Sequence, residues 1–250
     1  SEVERLKLGA AAEPSAESAA PGQAPAASKV YRAQERRVSI GGYGEMSLQH
    51  FSRRNQAANT AAKRDEFDFI RAVLYAGYKF NDWILFNSEL EFEHASTGKG
   101  RGEVSVEQAY IDFRLHDWFG VRAGMLLPPM GFLNEIHEPT TFHGVIRPAV
   151  ERNIIPSTWR ENGAGFFGDV GPVSYRTYAV TGLQAVTNTG VGGFRGSDGL
   201  RNGRSSGAKS FAEDAAGVSR VDVTPVPGVL AGGSLYIGEA DHNFTAAAVP

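Results

Sequence analysis

From residue 37 onward the chain alternates apolar and polar positions with a period of two, in segments separated by polar connections, and this predicts β-strands. In RVSIGGYGEMSLQHF, Val38, Ile40, Met46 and Leu48 fall on one face, and Ser39, Tyr43, Glu45, Ser47 and Gln49 on the other. EFDFIRAVLYAGYKF places Ile70, Ala72, Leu74, Ala76, Tyr78 and Phe80 together, opposite Arg71 and Lys79. WILFNSELEFEH sets Ile84, Phe86, Leu90 and Phe92 against Asn87, Glu89, Glu91 and Glu93, and three carboxylates on one face demand water. VSVEQAYIDFRL sets Ala109, Ile111, Phe113 and Leu115 against Gln108, Tyr110, Asp112 and Arg114. WFGVRAGMLL, TWRENGAGFFGD, PVSYRTYAV, GVSRVDVT and GVLAGGSLYIG complete about nine predicted strands.

These segments exceed the usual five or six residues of a globular strand. Short turns at Asn81-Asp82, His116-Asp117, Val170 to Pro172 and Pro225 to Gly228 alternate with long polar loops. Tyr78, Phe80, Trp83, Trp118 and Phe119 cluster beside the short turns. A strand tilted at about 45° needs roughly nine to eleven residues to cross a bilayer. Long strands, turns short on one side only and aromatic flanks predict an all-β, antiparallel transmembrane β-barrel. The same period also suits a soluble β-sandwich or a lipocalin-like barrel that binds a ligand in a closed cavity. The two differ in what the apolar faces meet.

Composition narrows the field. No run approaches the eighteen or so apolar residues of a membrane-spanning helix, whereas a mean hydropathy of -0.26 is compatible with barrel strands. With 25 basic and 28 acidic side chains, nothing suggests a nucleic-acid partner. Cys is absent, which removes disulfides, thiolate metal sites and a cysteine nucleophile. Residues 1–36 contain AAAEPSAESAAPGQAPAAS, which has little to bury, and are expected to form a flexible leader. Residues 37–250 are expected to form the barrel portion.

The run EQAYIDFRLHDWFGVRAGMLLPPMGFLNEIHEPTTFHGVIRPAVERNIIPSTWRENGAGFFG resembles the bacterial phosphate-selective porins, the outer-membrane porins O and P and their relatives. The similarity extends over most of Arg37 to Glu239, through Glu107-Gln108-Ala109-Tyr110, Arg122-Ala123-Gly124, Asn134 to Pro139 and GVSRVDVTPVPG. The resemblance implies a water-filled barrel in the outer membrane, commonly homotrimeric, with the leader in the periplasm and small hydrophilic or ionic solutes crossing by passive diffusion. It implies neither an enzyme nor a cofactor. A barrel of about sixteen strands needs roughly 350 residues, so about nine strands are expected to be part of a larger barrel. Phosphate-selective members use ladders of arginine and lysine, whereas the polar faces here mix signs.

Period-two parity puts Arg71, Arg114, Arg122, Arg160, Arg176 and Arg220 on the expected lumen wall, where guanidinium forks draw anions. Glu89, Glu91, Glu93, Asp112, Glu161 and, by the same parity, Asp222 share that side, so opposed columns of charge or simple cross-strand pairs are both open. Pro128 and Pro129 end a strand, and the stretch at about 130–157 is too long and too rich in Ile and Leu to extend into water. It is expected to fold inward as a constriction loop lined by Asn134, Glu135, His137, Glu138, His143, Arg147, Glu151 and Arg152. Phe132, Leu133, Ile136, Val145, Ile146, Ile154 and Ile155 are expected to pin it to the wall. A zinc site from His137, Glu138 and His143 is disfavoured, because the spacing is H-E-x-x-x-x-H and Pro139 interrupts any helix. GKGRG and GVGGFRG lack the context of phosphate or dinucleotide loops.

Overall fold

A computed structural model describes residues 22–32, 37–186 and 193–243. Nine strands form one antiparallel sheet in which each strand pairs with its neighbours in sequence. They are β1 (Val38–Gln49), β2 (Glu66–Lys79), β3 (Ile84–Glu93), β4 (Val104–His116), β5 (Phe119–Leu126), β6 (Glu161–Val170), β7 (Val173–Thr181), β8 (Ala215–Val226) and β9 (Val229–Gly238). Every predicted strand is present. The sheet is not closed, and β1 and β9 are its edges.

The two faces of the sheet are inverted relative to a water-soluble fold. Leu48 is 74% exposed and Ile237 66%, and Ile40, Phe67, Leu74, Val104, Phe166 and Val221 are exposed with them. The opposite face buries Asn87, Glu89, Glu91, Asp112, Arg122, Glu161 and Arg176, with Glu89 and Asp112 at 0% exposure. Charge is inside and hydrocarbon outside.

Two bulges hold this inversion in register. Opposite Glu45 and Met46, the partner residue moves from Arg71 to Phe69, which lets odd-numbered Phe67 and Phe69 share the outer face with even-numbered Leu74. In β4 the partners of Glu89 and Leu90 are Gln108 and Val106, so Glu107 is the extra residue. Both Glu107 and Gln108 are therefore buried on the polar face.

The short turns share one end of the sheet with an aromatic band. Tyr78 and Phe80 meet edge to face at 4.8 Å, Trp118 lies 5.8 Å from Phe119, and Phe119 stacks on Phe166 at 5.5 Å. Such a band is what an interface between water and lipid selects.

Two segments lie against the polar face. The 127–160 connection packs there through Leu133, which is 2% exposed. Four of the expected pinning hydrophobes behave differently: Val145 is 90% exposed, and Phe132, Ile146 and Ile154 are also exposed, while Ile136 and Ile155 are half-buried. Polar groups of this loop therefore share the work of holding it to the wall. The second segment is residues 22–32, expected to belong to a flexible leader. Ala24, Ala27 and Val30 are buried, and the short helix α1 (Lys29–Arg32) contacts β1, β2 and β3. Small side chains lie close to the wall while the backbone is taken up by wall and loop polar groups. The rest of the expected leader, 1–21 and 33–36, lies outside the described residues.

Candidate functional site

The polar face forms three tiers between the short turns and the long loops. At the short-turn end, Arg122 grips Asp112 through Nε at 2.6 Å and Nη2 at 2.7 Å. Such a two-pronged contact fixes both side chains. Tyr31 of α1 donates to Asp112 at 2.6 Å and accepts from Arg122 at 3.1 Å, so the N-terminal segment completes the cluster. The Arg122 guanidinium also lies 4.1 Å from the Tyr110 ring centroid. A cavity of about 440 Å³ opens here, lined by Tyr31, Arg32, Arg114, Arg122, Arg176 and Tyr178 among others.

In the middle tier the 127–160 loop meets the polar face of the sheet. Asn134 donates to the carbonyls of Pro128 and Trp159, each at 2.8 Å, and accepts the Trp159 N–H at 2.7 Å. It closes the base of the loop and is fully buried, so it does not face open space. Glu151 likewise accepts the Phe132 N–H at 2.8 Å and ties the loop to itself. Glu135 pairs with Arg176 at 2.9 Å, and Arg176 pairs with Asp222 at 2.6 Å. Arg220 engages Asp222 at 2.7 Å and donates to the carbonyl of Gly131, joining wall and loop. His137 faces Glu89 at 3.3 Å. Glu138 accepts the N–H groups of Ala26 at 3.0 Å and Ala27 at 3.1 Å, and Asn87 donates to the Ala27 carbonyl at 2.9 Å.

Burial sets the charge balance of this loop. It pushes the Glu135 carboxyl up, against the pull of Arg176, and pushes Glu138 up, against its two backbone donors. Burial opposes protonation of His137, but Glu89 outweighs it and the imidazole is raised overall. Arg147 is lowered by burial and then by Arg71.

The third tier lies at the long-loop end, where Arg71 bridges Glu45 at 2.9 Å and Glu91 at 2.6 Å, and Arg160 meets Glu107 at 2.5 Å. A cavity of about 490 Å³ here takes in Arg147 and Arg152 of the loop and Glu93 of the wall. His143 is exposed and stacks at 6.3 Å on Phe132. Glu161 accepts from Thr181 at 2.9 Å and from the Trp159 indole at 3.2 Å.

The expected wall residues thus share one face, and most of their arginines are neutralised. Arg71, Arg122, Arg160, Arg176 and Arg220 each have a carboxylate partner, while Arg114 lies 6.0 Å from the Tyr31 ring. Among the described residues no free arginine column runs along the face. Among the described residues, no group of three or more His, Cys, Asp or Glu is placed to hold a metal.

Sequence reasoning missed four contributors. Glu107 was recoverable, since the apolar parity slips between Val106 and Ala109, as a bulge requires. Tyr31 and the packed 22–32 segment have no periodic signal, and their Ala and Pro content matches unstructured chain. Arg201 and Arg204 sit in the glycine-rich β7–β8 connection, where no pattern marks them.

Residues 43–135 match the family model described as phosphate-selective porin O and P. A protein of Aquifex aeolicus (strain VF5), described as "Uncharacterized protein", is 42% identical over 224 residues. The aligned region covers 89% of this chain and 49% of that protein, so the chain spans about half the length of this relative. The match over residues 43–135 supports the family resemblance carried by the strand and loop motifs.

Proposed function

We propose that this chain, which carries the pattern of the phosphate-selective porin O and P family, supplies part of an outer-membrane β-barrel through which small hydrophilic or ionic solutes diffuse. The carrying observation is the inverted sheet: one face exposes Ile40, Leu48, Phe67, Leu74 and Ile237, and the other buries Glu89, Asp112 and Arg122. In a soluble ligand-binding barrel the apolar side chains would point inward. The aromatic band beside the short turns and the family match support the same reading.

In this reading the nine strands are a sector of a wall that further strands complete, with the short turns toward the periplasm. Solutes pass beside the loop along Arg147 and Arg152, while His137 and Glu138 are buried and hold the loop to the wall and the N-terminal segment. Homotrimeric assembly follows from the family resemblance. Because five of the six wall arginines are matched by carboxylates, ion selectivity is weak. Charge pairs screen each other, so neither ion sees a single-sign column.

The test is the reversal potential of the full-length protein in a planar bilayer under a salt gradient. Stepwise conductance with a reversal near zero is expected. A strong anion shift would overturn the neutralised wall, and folded protein without conductance would overturn the channel.

A further inference from the structure

The cavity of about 490 Å³ at the long-loop end is lined by charges of both signs. Several of its charges cancel locally: Arg71 pairs with Glu45 and Glu91, Arg160 with Glu107, and His94 with Asp68. What remains divides by element. Glu66 and Glu93 come from the long-loop ends of β2 and β3, and Glu103 directly precedes β4. Arg147 and Arg152 come from the 127–160 loop, and Arg201 and Arg204 from the β7–β8 connection. Among the described residues none of these seven has an opposite charge within 4.0 Å.

The guanidiniums are held in place by neutral oxygens. Arg147 donates to Ser157 Oγ at 3.0 Å, and Arg201 to the carbonyls of Arg152 at 3.1 Å and Ser157 at 2.6 Å. Arg204 donates to the Arg201 carbonyl at 2.9 Å and to that of Thr158. These bonds orient the forks without cancelling their charge. Burial, with the fields of Arg201 and Arg160, pulls Arg204 down to about 10, and burial with Arg152 lowers Arg201. Crowded cations of this kind gain when an anion joins them.

We propose that this cavity binds small zwitterionic solutes of the free amino acid class, carboxylate at the arginines and ammonium at Glu66, Glu93 and Glu103. A carboxylate meets guanidinium forks whose planar geometry matches its own. The ammonium of the same molecule meets the carboxylates of the cavity, and the volume suits a small-molecule site. A solute with one charge satisfies one set of charges and is repelled by the other, so the arrangement selects against plain anions and plain cations. The inference rests on the channel reading only in placing the site on a solute's route; binding itself does not require conduction.

The test is calorimetric titration of the detergent-folded full-length protein with L-glutamine, N-acetyl-L-glutamine, which lacks the ammonium, and L-glutaminamide, which lacks the carboxylate. Glutamine is expected to bind at least about tenfold more tightly than either, a gap of about 1.4 kcal/mol. The double variant Arg201→Gln/Arg204→Gln should lose the N-acetylglutamine affinity and keep that for glutaminamide; Glu93→Gln/Glu103→Gln should do the reverse. Heat-modifiable electrophoretic mobility verifies that each variant is folded. N-acetylglutamine binding as tightly as glutamine, or no binding of any probe by folded protein, overturns the proposal. Bilayer conductance of the same preparation separates the two readings: conductance without zwitterion preference removes this site alone, and zwitterion binding without conductance removes the channel alone.

Discussion

Glu138 accepts the backbone N–H of Ala26 at 3.0 Å, joining the 127–160 loop to the N-terminal segment across 112 positions of chain. The same carboxylate takes the Ala27 N–H at 3.1 Å, and the Ala27 carbonyl is held by Asn87. A hydrogen bond to a charged group contributes about 1.5–3 kcal/mol. Glu138→Ala removes both acceptors and leaves two N–H groups unpaired, so the segment is expected to detach. Trypsin should then cleave after Lys29 or Arg32 at least about tenfold faster in folded protein, and single-channel conductance should rise as the lumen clears. Unchanged cleavage would show that apolar contacts of Ala24, Ala27 and Val30 suffice to hold the segment.

The outward faces of β3 and β4 meet at Phe86 and Ile111, which are direct cross-strand partners. If lipid covers them, Ile111→Arg costs roughly 2–4 kcal/mol near the bilayer midplane and less near its edges. Phe86→Asp and Ile111→Arg should both reduce the heat-modifiable species in outer-membrane fractions, while Leu48→Arg, near the end of β1, should be milder. Wild-type levels of folded, membrane-inserted protein for the two central variants would contradict the lipid-facing assignment.

The strands were legible because period two is a backbone property that needs no partner, and all nine expected strands appear between Val38 and Gly238. The polar face of the sheet was legible for the same reason, as Glu89, Asp112, Arg122 and Arg176 follow parity from their apolar neighbours. The loop resisted. Its inward course could be anticipated from Pro128, Pro129 and its length, but the roles within it could not. Asn134 and Glu151 bond the backbone of their own loop, while Val145 and Ile154 are exposed, because irregular chain has no period to reveal direction. Residues 22–32 resisted for a different reason. Their order comes from Glu138, Asn87 and Asp112, which lie more than fifty positions away.

Arg122 and Asp112 illustrate a buried pair whose geometry is fixed by the sheet, since they are direct partners in the β4–β5 ladder. Their side chains are 7% and 0% exposed, so removing one partner leaves an uncompensated charge. Such single removals cost about 3–5 kcal/mol, whereas replacing both partners by apolar residues is often close to neutral. Asp112→Asn should therefore lower the urea midpoint of the folded protein strongly, and Arg122→Met/Asp112→Leu should recover much of the loss. A double variant no more stable than Asp112→Asn would assign the cost to Tyr31 and Tyr110, which share the cluster.

His137 makes the loop's tether dependent on pH. Its imidazolium faces Glu89 at 3.3 Å, and Glu107 adds a favourable field while Arg147 opposes it. Burial disfavours the charged ring, yet the carboxylates prevail and the ring's pKa is raised. A group raised on folding contributes stability that is complete below its unfolded value, about 6.5 for histidine, and lost as pH climbs through the raised value. As pH climbs above about 6.5 the loop should loosen from the wall, and single-channel current should become noisier or larger. His137→Gln keeps a donor toward Glu89 without a titrating charge and is expected to flatten the profile. If the variant reproduces the wild-type dependence, the titration belongs to other groups of the lumen and His137 is only a packed contact.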